Sequence, residues 1–181
     1  SSQSNNGKRV AELCKEVDSS ITIIIGGPHP SVQYKSLLEE NYCDYAAVGE
    51  GVISLRDFMC EVSERLSTSN RVFSAGQEKE IIKNSKFTVD GFAYLHNKGL
   101  SYSPVPVLDD LDQLPFPAYD LINLDSYLES PYLYKSRSGI GQKSISMITS
   151  RGCPYECVFC SISQHMGRKY RYHSPEYTLD H

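Results

Sequence analysis

Three cysteines crowded into eight residues, Cys153-Pro-Tyr-Glu-Cys157-Val-Phe-Cys160, constrain this 181-residue sequence more than any other feature. Thiolates are soft ligands, so three of them at C-x3-C-x2-C spacing in one loop can converge on a single inorganic centre. Six cysteines in the whole chain are too few for a small disulfide scaffold, and half of them lie in this loop, which argues for metal over bridges. Gly152 eases a tight turn into the loop and Pro154 restrains it. The segment just before it, Ser144-Ile-Ser-Met-Ile-Thr149, reads as a strand. The cysteines then sit at a strand's C-terminal end, where α/β folds carry their sites.

Two inorganic centres suit such a loop. Three thiolates on an iron–sulfur cluster leave one iron open to a substrate group, unlike the four-thiolate sites of electron-transfer ferredoxins. A structural zinc would need a fourth ligand, for which His165 and His173 are near in sequence. Zinc sites usually pair their cysteines and then leave a long spacer, so the crowding favours the cluster without excluding zinc. Cys14, Cys43 and Cys60 stand among apolar neighbours and carry no assigned role.

The first third of the chain alternates helix and strand signals. Val10, Leu13, Cys14 and Val17 recur at helical spacing, Ile21-Thr-Ile-Ile-Ile25 is a buried-strand run, and Gly26-Gly-Pro-His-Pro30 breaks it. Ser31 reads as the cap of a second helix, Asp44-Tyr-Ala-Ala-Val48 as a second strand, and residues 53–66 as a third helix. Buried strands alternating with helices predict parallel pairing in a doubly wound sheet, yet only two such strands are present. The segment therefore reads as part of a domain that begins upstream.

From Asn70 onward the pattern turns β-like, with runs at Lys86 to Val89, Phe92 to His96 and Leu100 to Ser103, and a hairpin turn at Asn97-Lys-Gly99. Leu108-Asp-Asp-Leu-Asp112 and Leu114-Pro-Phe-Pro-Ala118 read as a stiff connector, with Asp109, Asp110 and Asp112 solvated instead of ligating metal. Net charge is -4, so no overall field points to nucleic acid or an anionic membrane. Between Lys135 and His173, however, seven bases face only Glu156, a formal +6 that suits either a bound anion or a solvated basic face. No apolar run reaches membrane length and the polar start lacks a signal-peptide core, which predicts a soluble, cytoplasmic protein.

The sequence Arg151-Gly-Cys-Pro-Tyr-Glu-Cys-Val-Phe-Cys160 resembles the radical S-adenosylmethionine (SAM) superfamily motif, C-x3-C-x-aromatic-C, at every defining position. The resemblance implies that Cys153, Cys157 and Cys160 ligate a [4Fe-4S] cluster whose fourth iron chelates SAM. It also implies that Phe159 borders the adenine. Residues 167–176 look like family sequence after that loop, with His173 where an Arg is common. Ile23-Ile-Ile-Gly-Gly-Pro-His-Pro-Ser31 and Val48-Gly-Glu-Gly51 resemble the cobalamin-binding domains fused in front of radical SAM domains. Gly26 and Gly27 match that domain's paired-glycine element, where backbone without a Cβ can lie against a nucleotide tail. Val52 departs from the pattern in replacing a second Glu. The D-x-H-x-x-G motif that supplies a cobalt ligand is absent, so His29 is read as a loop residue.

These readings combine into an α/β expectation. Residues 1–69 form the C-terminal half of a doubly wound, Rossmann-like cobalamin-binding domain, and residues 70–139 a β-rich linker. Residues 140–181 then form the first strand and cluster loop of a radical SAM partial (β/α) barrel. The implied function is reductive cleavage of SAM at the cluster to a 5′-deoxyadenosyl radical, for methyl transfer to an unactivated carbon. An external electron donor and a small-molecule substrate would be the partners, and these residues alone would be inactive. The competing reading is a non-catalytic zinc module, three cysteines and one histidine, that contacts RNA or another anion. No catalytic side chain is assigned.

Overall fold

The computed structural model describes residues 4–68, 87, 89–96, 99–105, 107–128 and 146–181. They divide into two compact units, Ser1–Val107 with Gly152–Arg168, and Leu108–Arg151 with Lys169–His181.

The first unit is an α/β layer structure. Helix α1 (Ser4–Val17) leads to strand β1 (Ile24–Ile25), α2 (Pro28–Glu39), β2 (Tyr45–Ala47) and α3 (Gly51–Thr68). Strands β3 (Phe92–His96) and β4 (Gly99–Tyr102) follow. One sheet holds all four strands in the order β1-β2-β3-β4. The first pair is parallel, with Ile24 opposite Tyr45, as the strand–helix–strand pattern requires. The β-like runs read as linker do not form a separate element, since β3 pairs antiparallel with β2 and extends the same sheet. Within those runs, residues 86 and 88 lie outside the described residues, as do residues 97 and 98 of the Asn97-Lys-Gly99 turn.

Both faces of the sheet are apolar, and strict alternation divides them. Ala46, Val48, Ile23 and Ile25 pack with Leu37 and Leu38 of α2, while Tyr45, Ala47 and Ile24 pack with Phe58 and Val62 of α3. The α3 side is a cluster of rings, with Tyr45, Phe58, Phe87 and Phe92 meeting at centroid distances of 4.7 to 6.3 Å. Burial of each such side chain contributes about 2 kcal/mol.

Helix orientation and helix start depend on contacts that the local pattern does not carry. Helix α1 forms, but its stripe faces outward, with Val10 58% and Val17 84% exposed. A polar face orients the helix instead. Lys8 reaches Glu40 at 3.2 Å and lies 4.2 Å above the Tyr42 ring, Ala11 is buried, and Lys15 donates to the Ile21 carbonyl at 2.6 Å and to Asp44 at 2.8 Å. Residues 8, 11 and 15 share one side of a helix, so their contacts leave residues 10, 13 and 17 to solvent. One expectation is corrected: Ser31 does not cap α2. The helix starts at Pro28 after Gly27, because proline's fixed φ suits a first helical position and glycine can adopt the φ of 102° needed before it.

In the second unit a 3₁₀ turn at Leu111–Gln113 buries Leu111 and Leu114, and Asp110 caps it by accepting from the Asp112 N–H. Another 3₁₀ turn at Tyr119–Leu121 and a short helix α4 (Leu124–Leu128) follow. The strand read at Ser144–Thr149 is displaced. Ser146–Thr149 has no regular structure, residues 144 and 145 are outside the described ones, and β5 is only Ser150–Arg151, paired antiparallel with β6 (Arg171–Tyr172). A strand extends only as far as a partner does; beyond β6 a single bond, from the His173 N–H to the Thr149 carbonyl, continues the ladder. Helix α6 (Pro175–Asp180) starts as the sequence predicts, with Ser174 accepting from the Tyr177 N–H and Pro175 opening it. No described helix is long and apolar enough to cross a membrane.

The tightest packing in the first unit is at Gly91, with φ at 87°, where an added Cβ would meet Ser54 Oγ at 2.2 Å and Val105 Cβ at 2.9 Å. Gly91→Ala should lower stability by about 3 kcal/mol, combining backbone strain with overpacking, as measured by urea unfolding. Gly99→Ala, with φ at 113° and nothing within 4 Å of its Cβ, should lose only the strain, about 1 kcal/mol. Equal losses at the two positions would show that Ser54 and Val105 give way.

Candidate functional site

The cysteine loop leaves and returns through two glycines in left-handed conformation, Gly152 at φ 82° and Gly167 at φ 73°. The Cys153 N–H donates to the Gly167 carbonyl at 3.2 Å and closes the loop at its base. Within it the Cys160 N–H donates to the Cys157 carbonyl at 3.1 Å, a turn, and Glu156 pairs with Arg168. Helix α5 (Ile162–Met166) follows and lies against α2 of the same unit.

All three thiols are free, Cys153 half-buried and Cys157 and Cys160 exposed. Among the described residues no three His, Cys, Asp or Glu side chains stand close enough to hold a metal ion, so the loop does not draw its thiols together. The donor set nevertheless fits an iron–sulfur cluster in chemistry, and ligation itself contributes to the order of such loops. Each of the two histidines considered for zinc engages its Nδ1. His165 Nδ1 is 3.0 Å from the Ser161 carbonyl. His173 is buried, with Nδ1 3.1 Å from Asp112 and its ring stacked 4.1 Å from Tyr177. The loop also holds out its apolar residues, Val158 at 102% and Phe159 at 89% exposed. Phe159 therefore presents an open ring face of the kind a purine base stacks on.

The paired glycines are not equivalent. A Cβ on Gly26 would lie 3.4 Å from Ala47 Cβ, so its small size serves packing onto β2. Gly27 holds φ 102° and ψ -169°, a conformation essentially reserved for glycine, and nothing stands within 4 Å of where its Cβ would be. Both glycines are exposed, and Gly27 is the one whose conformation and surroundings would let a flat ligand lie against backbone. His29 is half-buried in the first turn of α2.

The basic stretch splits up. Lys135, Arg137 and Lys143 lie outside the described residues, Arg168 and Lys169 pair with Glu156 and Asp109, and Arg171 is only 3% exposed, donating to the carbonyls of Leu108 and Lys169. These last bases brace the fold. Cys43 is buried, which pushes its thiol up to about 12, whereas Cys60 is exposed.

Sequence reasoning missed Asp112. Its carboxylate accepts from the Ser174 N–H at 3.1 Å and faces His173, linking the connector to the start of α6. An Asp in an acidic connector carries no signal of this, because its partner is 62 residues away. Hydrogen bonding from Ser174 first, and then from His173, holds this carboxyl below the usual range. A depressed carboxylate stabilises above its unfolded pKa and loses that contribution as pH falls through the folded value. The unfolding midpoint of the wild type should therefore drop more between pH 5 and pH 3, about the carboxylate range, than that of Asp112→Asn. Parallel curves would show that Asp112 contributes nothing by its charge.

No family model matches the chain. An uncharacterized methyltransferase of Pyrococcus horikoshii is 28% identical over 172 residues, 94% of this chain and 32% of its own length. The cytidylyl-2-hydroxyethylphosphonate methyltransferase of Streptomyces wedmorensis is 25% identical over 184 residues, covering 99% of this chain and 34% of its own. The chain thus spans about a third of the length of these curated relatives. Among solved structures, the cobalamin-dependent SAM radical enzyme OxsB, with aqua-cobalamin and SAM bound, superposes with a TM-score of 0.65. It shares 20% identity and covers 98% of this chain and 21% of its own. In sequence the chain is similar to methyltransferases, and it shares its fold with a cobalamin-dependent radical SAM protein, as the cysteine motif and the glycine element imply.

Proposed function

We propose that this chain is part of a cobalamin-dependent radical SAM enzyme that transfers a methyl group to an unactivated carbon of a small molecule. The observation that carries the reading is one sequence, alike over nearly its whole length to two methyltransferases, holding both a C-x3-C-x-Phe-C loop and a glycine-turned parallel pair. Residues 1–69 would be the C-terminal half of the doubly wound cobalamin-binding domain, residues 70–139 an extension of its sheet through β3 and β4 followed by the connector, and residues 140–181 the opening of the partial barrel. A cytoplasmic setting and an external electron donor belong to the same proposal.

Cys153, Cys157 and Cys160 would hold a [4Fe-4S] cluster, Phe159 would stack on the adenine of SAM, and Gly27 would let the cobalamin tail approach the backbone. When bound, the cluster supplies the electron for reductive cleavage of SAM. The chain's own part is binding and orientation. The exposed ring of Phe159 gives a stacking surface, and the two glycine hinges leave the loop free to close its thiols on a centre. The zinc reading has no support among the relatives, which are methyltransferases and a cobalamin-dependent SAM radical enzyme.

The cluster half is tested in the full-length enzyme by Cys157→Ala, assayed for iron, acid-labile sulfide and 5′-deoxyadenosine. Both cluster content and SAM cleavage should be lost, and unchanged 5′-deoxyadenosine formation would remove Cys157 from its role. The cobalamin half is tested by comparing two alanine substitutions in the same protein. Gly27→Ala should weaken cobalamin binding about tenfold and lower stability by about 2 kcal/mol through its backbone conformation. Gly26→Ala, directed at Ala47, should leave affinity within about twofold. Undiminished affinity in both would reduce the pair to a turn.

A further inference from the structure

We infer that Ser31 is a positioning residue whose hydroxyl clasps the turn after β1 to the turn after β2 and so sets the shape of the cobalamin-side loops. The inference rests on the cobalamin reading above. Ser31 is 8% exposed, inside the first turns of α2. Its hydroxyl donates to the Gly27 carbonyl at 2.8 Å and accepts the Gly49 N–H at 3.0 Å, so both its capacities are used at once. Gly27 is the residue proposed above to meet the ligand, and its carbonyl accepts from the Ser31 hydroxyl as well as from the Ser31 N–H at 3.2 Å. Gly49 is held in left-handed conformation at φ 85°, and a Cβ there would lie 3.7 Å from the His165 carbonyl oxygen. His165 belongs to α5, the helix that follows the cysteine loop.

One hydroxyl therefore fastens the ligand-side turn to a second turn that itself lies against the helix leaving the cysteine loop. Alanine removes both bonds, and cysteine keeps the size but is a weak donor and acceptor. Threonine keeps the hydroxyl. Loss of the clasp lets the Gly27 and Gly49 turns move apart, and binding must then restore an order that the wild type already has.

The test is a visible-absorption titration of the full-length apoprotein with aquacobalamin, with thermal midpoint and iron content recorded for each variant. Ser31→Ala and Ser31→Cys should each raise Kd about tenfold, the equivalent of about 1.4 kcal/mol of hydrogen bonding, while Ser31→Thr stays within about threefold of wild type. Iron content should not change in any of them. Wild-type affinity in the alanine and cysteine variants, even with a lowered thermal midpoint, would make Ser31 merely structural and overturn the inference. Equal loss in the threonine variant would overturn it too, since size and not the hydroxyl would then matter. If the alanine variant does not fold, the cysteine variant carries the comparison. Failure of the wild type itself to bind aquacobalamin would instead remove the cobalamin reading, and this inference with it.

Discussion

The first unit depends on the parallel pairing of β1 with β2. A parallel pair cannot be closed by a tight turn, so α2 has to cross over between the strands, and the chain leaves both strands at the same end of the sheet. That geometry puts the Gly26-Gly27 turn and the Gly49-Glu50-Gly51 turn side by side. Asp44 pins the register. It accepts from the Ile23 N–H at 2.7 Å and from Lys15 of α1, while its own N–H donates to the Ile23 carbonyl. A slip of one residue would send Tyr45 to the α2 side and Ala46 into the ring cluster, exchanging the largest and smallest residues of the strand between two packed faces.

Polar contacts do the corresponding work in the second unit, where few apolar side chains are buried. Arg171 holds the backbone of Leu108, Lys169 reaches Asp109, and Asp112 holds the start of α6, so three successive parts of the acidic connector meet the segment after the cysteine loop. Stacked rings supplement them: His173 on Tyr177, Phe116 on His181, and Tyr119 bonded to His181 at 2.8 Å. The charges that looked in sequence like an anion-binding surface and a solvated linker partly neutralise each other. Exposed pairs among them contribute little singly, whereas the buried guanidinium of Arg171 is a larger commitment.

Features set by neighbours in sequence were legible beforehand. The β-like run near Phe92 to His96 is a strand, Ser174 and Pro175 start a helix, and the helix read over residues 53–66 lies within Gly51–Thr68. What depends on distant partners was not. The helical repeat of α1 gives a helix but no orientation, which Lys8 and Lys15 set by finding Glu40 and Asp44. Ser31 looks like a cap because Ser often is one, yet Pro28 starts the helix three residues earlier. The strand expected before the cysteines shrank to two residues because β6 offers no more to pair with. In the site, the cysteines and glycines were named from sequence; that a Cβ on Gly26 but not on Gly27 would touch a neighbour depends on where Ala47 lies.

The mixed sheet also dictates an order of assembly. The β3–β4 hairpin pairs residues close in the chain, His96 with Gly99 at its tip, and can form early. The β2–β3 junction joins Ala46 to Ala93 and Ala47 to Phe92, closing a long stretch of chain for only two residue pairs. Loop closure on that scale is slow, and packing rewards it on both faces, by the rings of Phe92 and Phe87 with Tyr45 and Phe58 on one and by Ala93 with Ala46 and Leu37 on the other. Until that cluster forms, the open edge of β2 is a bare strand able to accept a strand from another molecule. The aromatic side of the sheet thus acts as a kinetic guard against misassociation as well as a core.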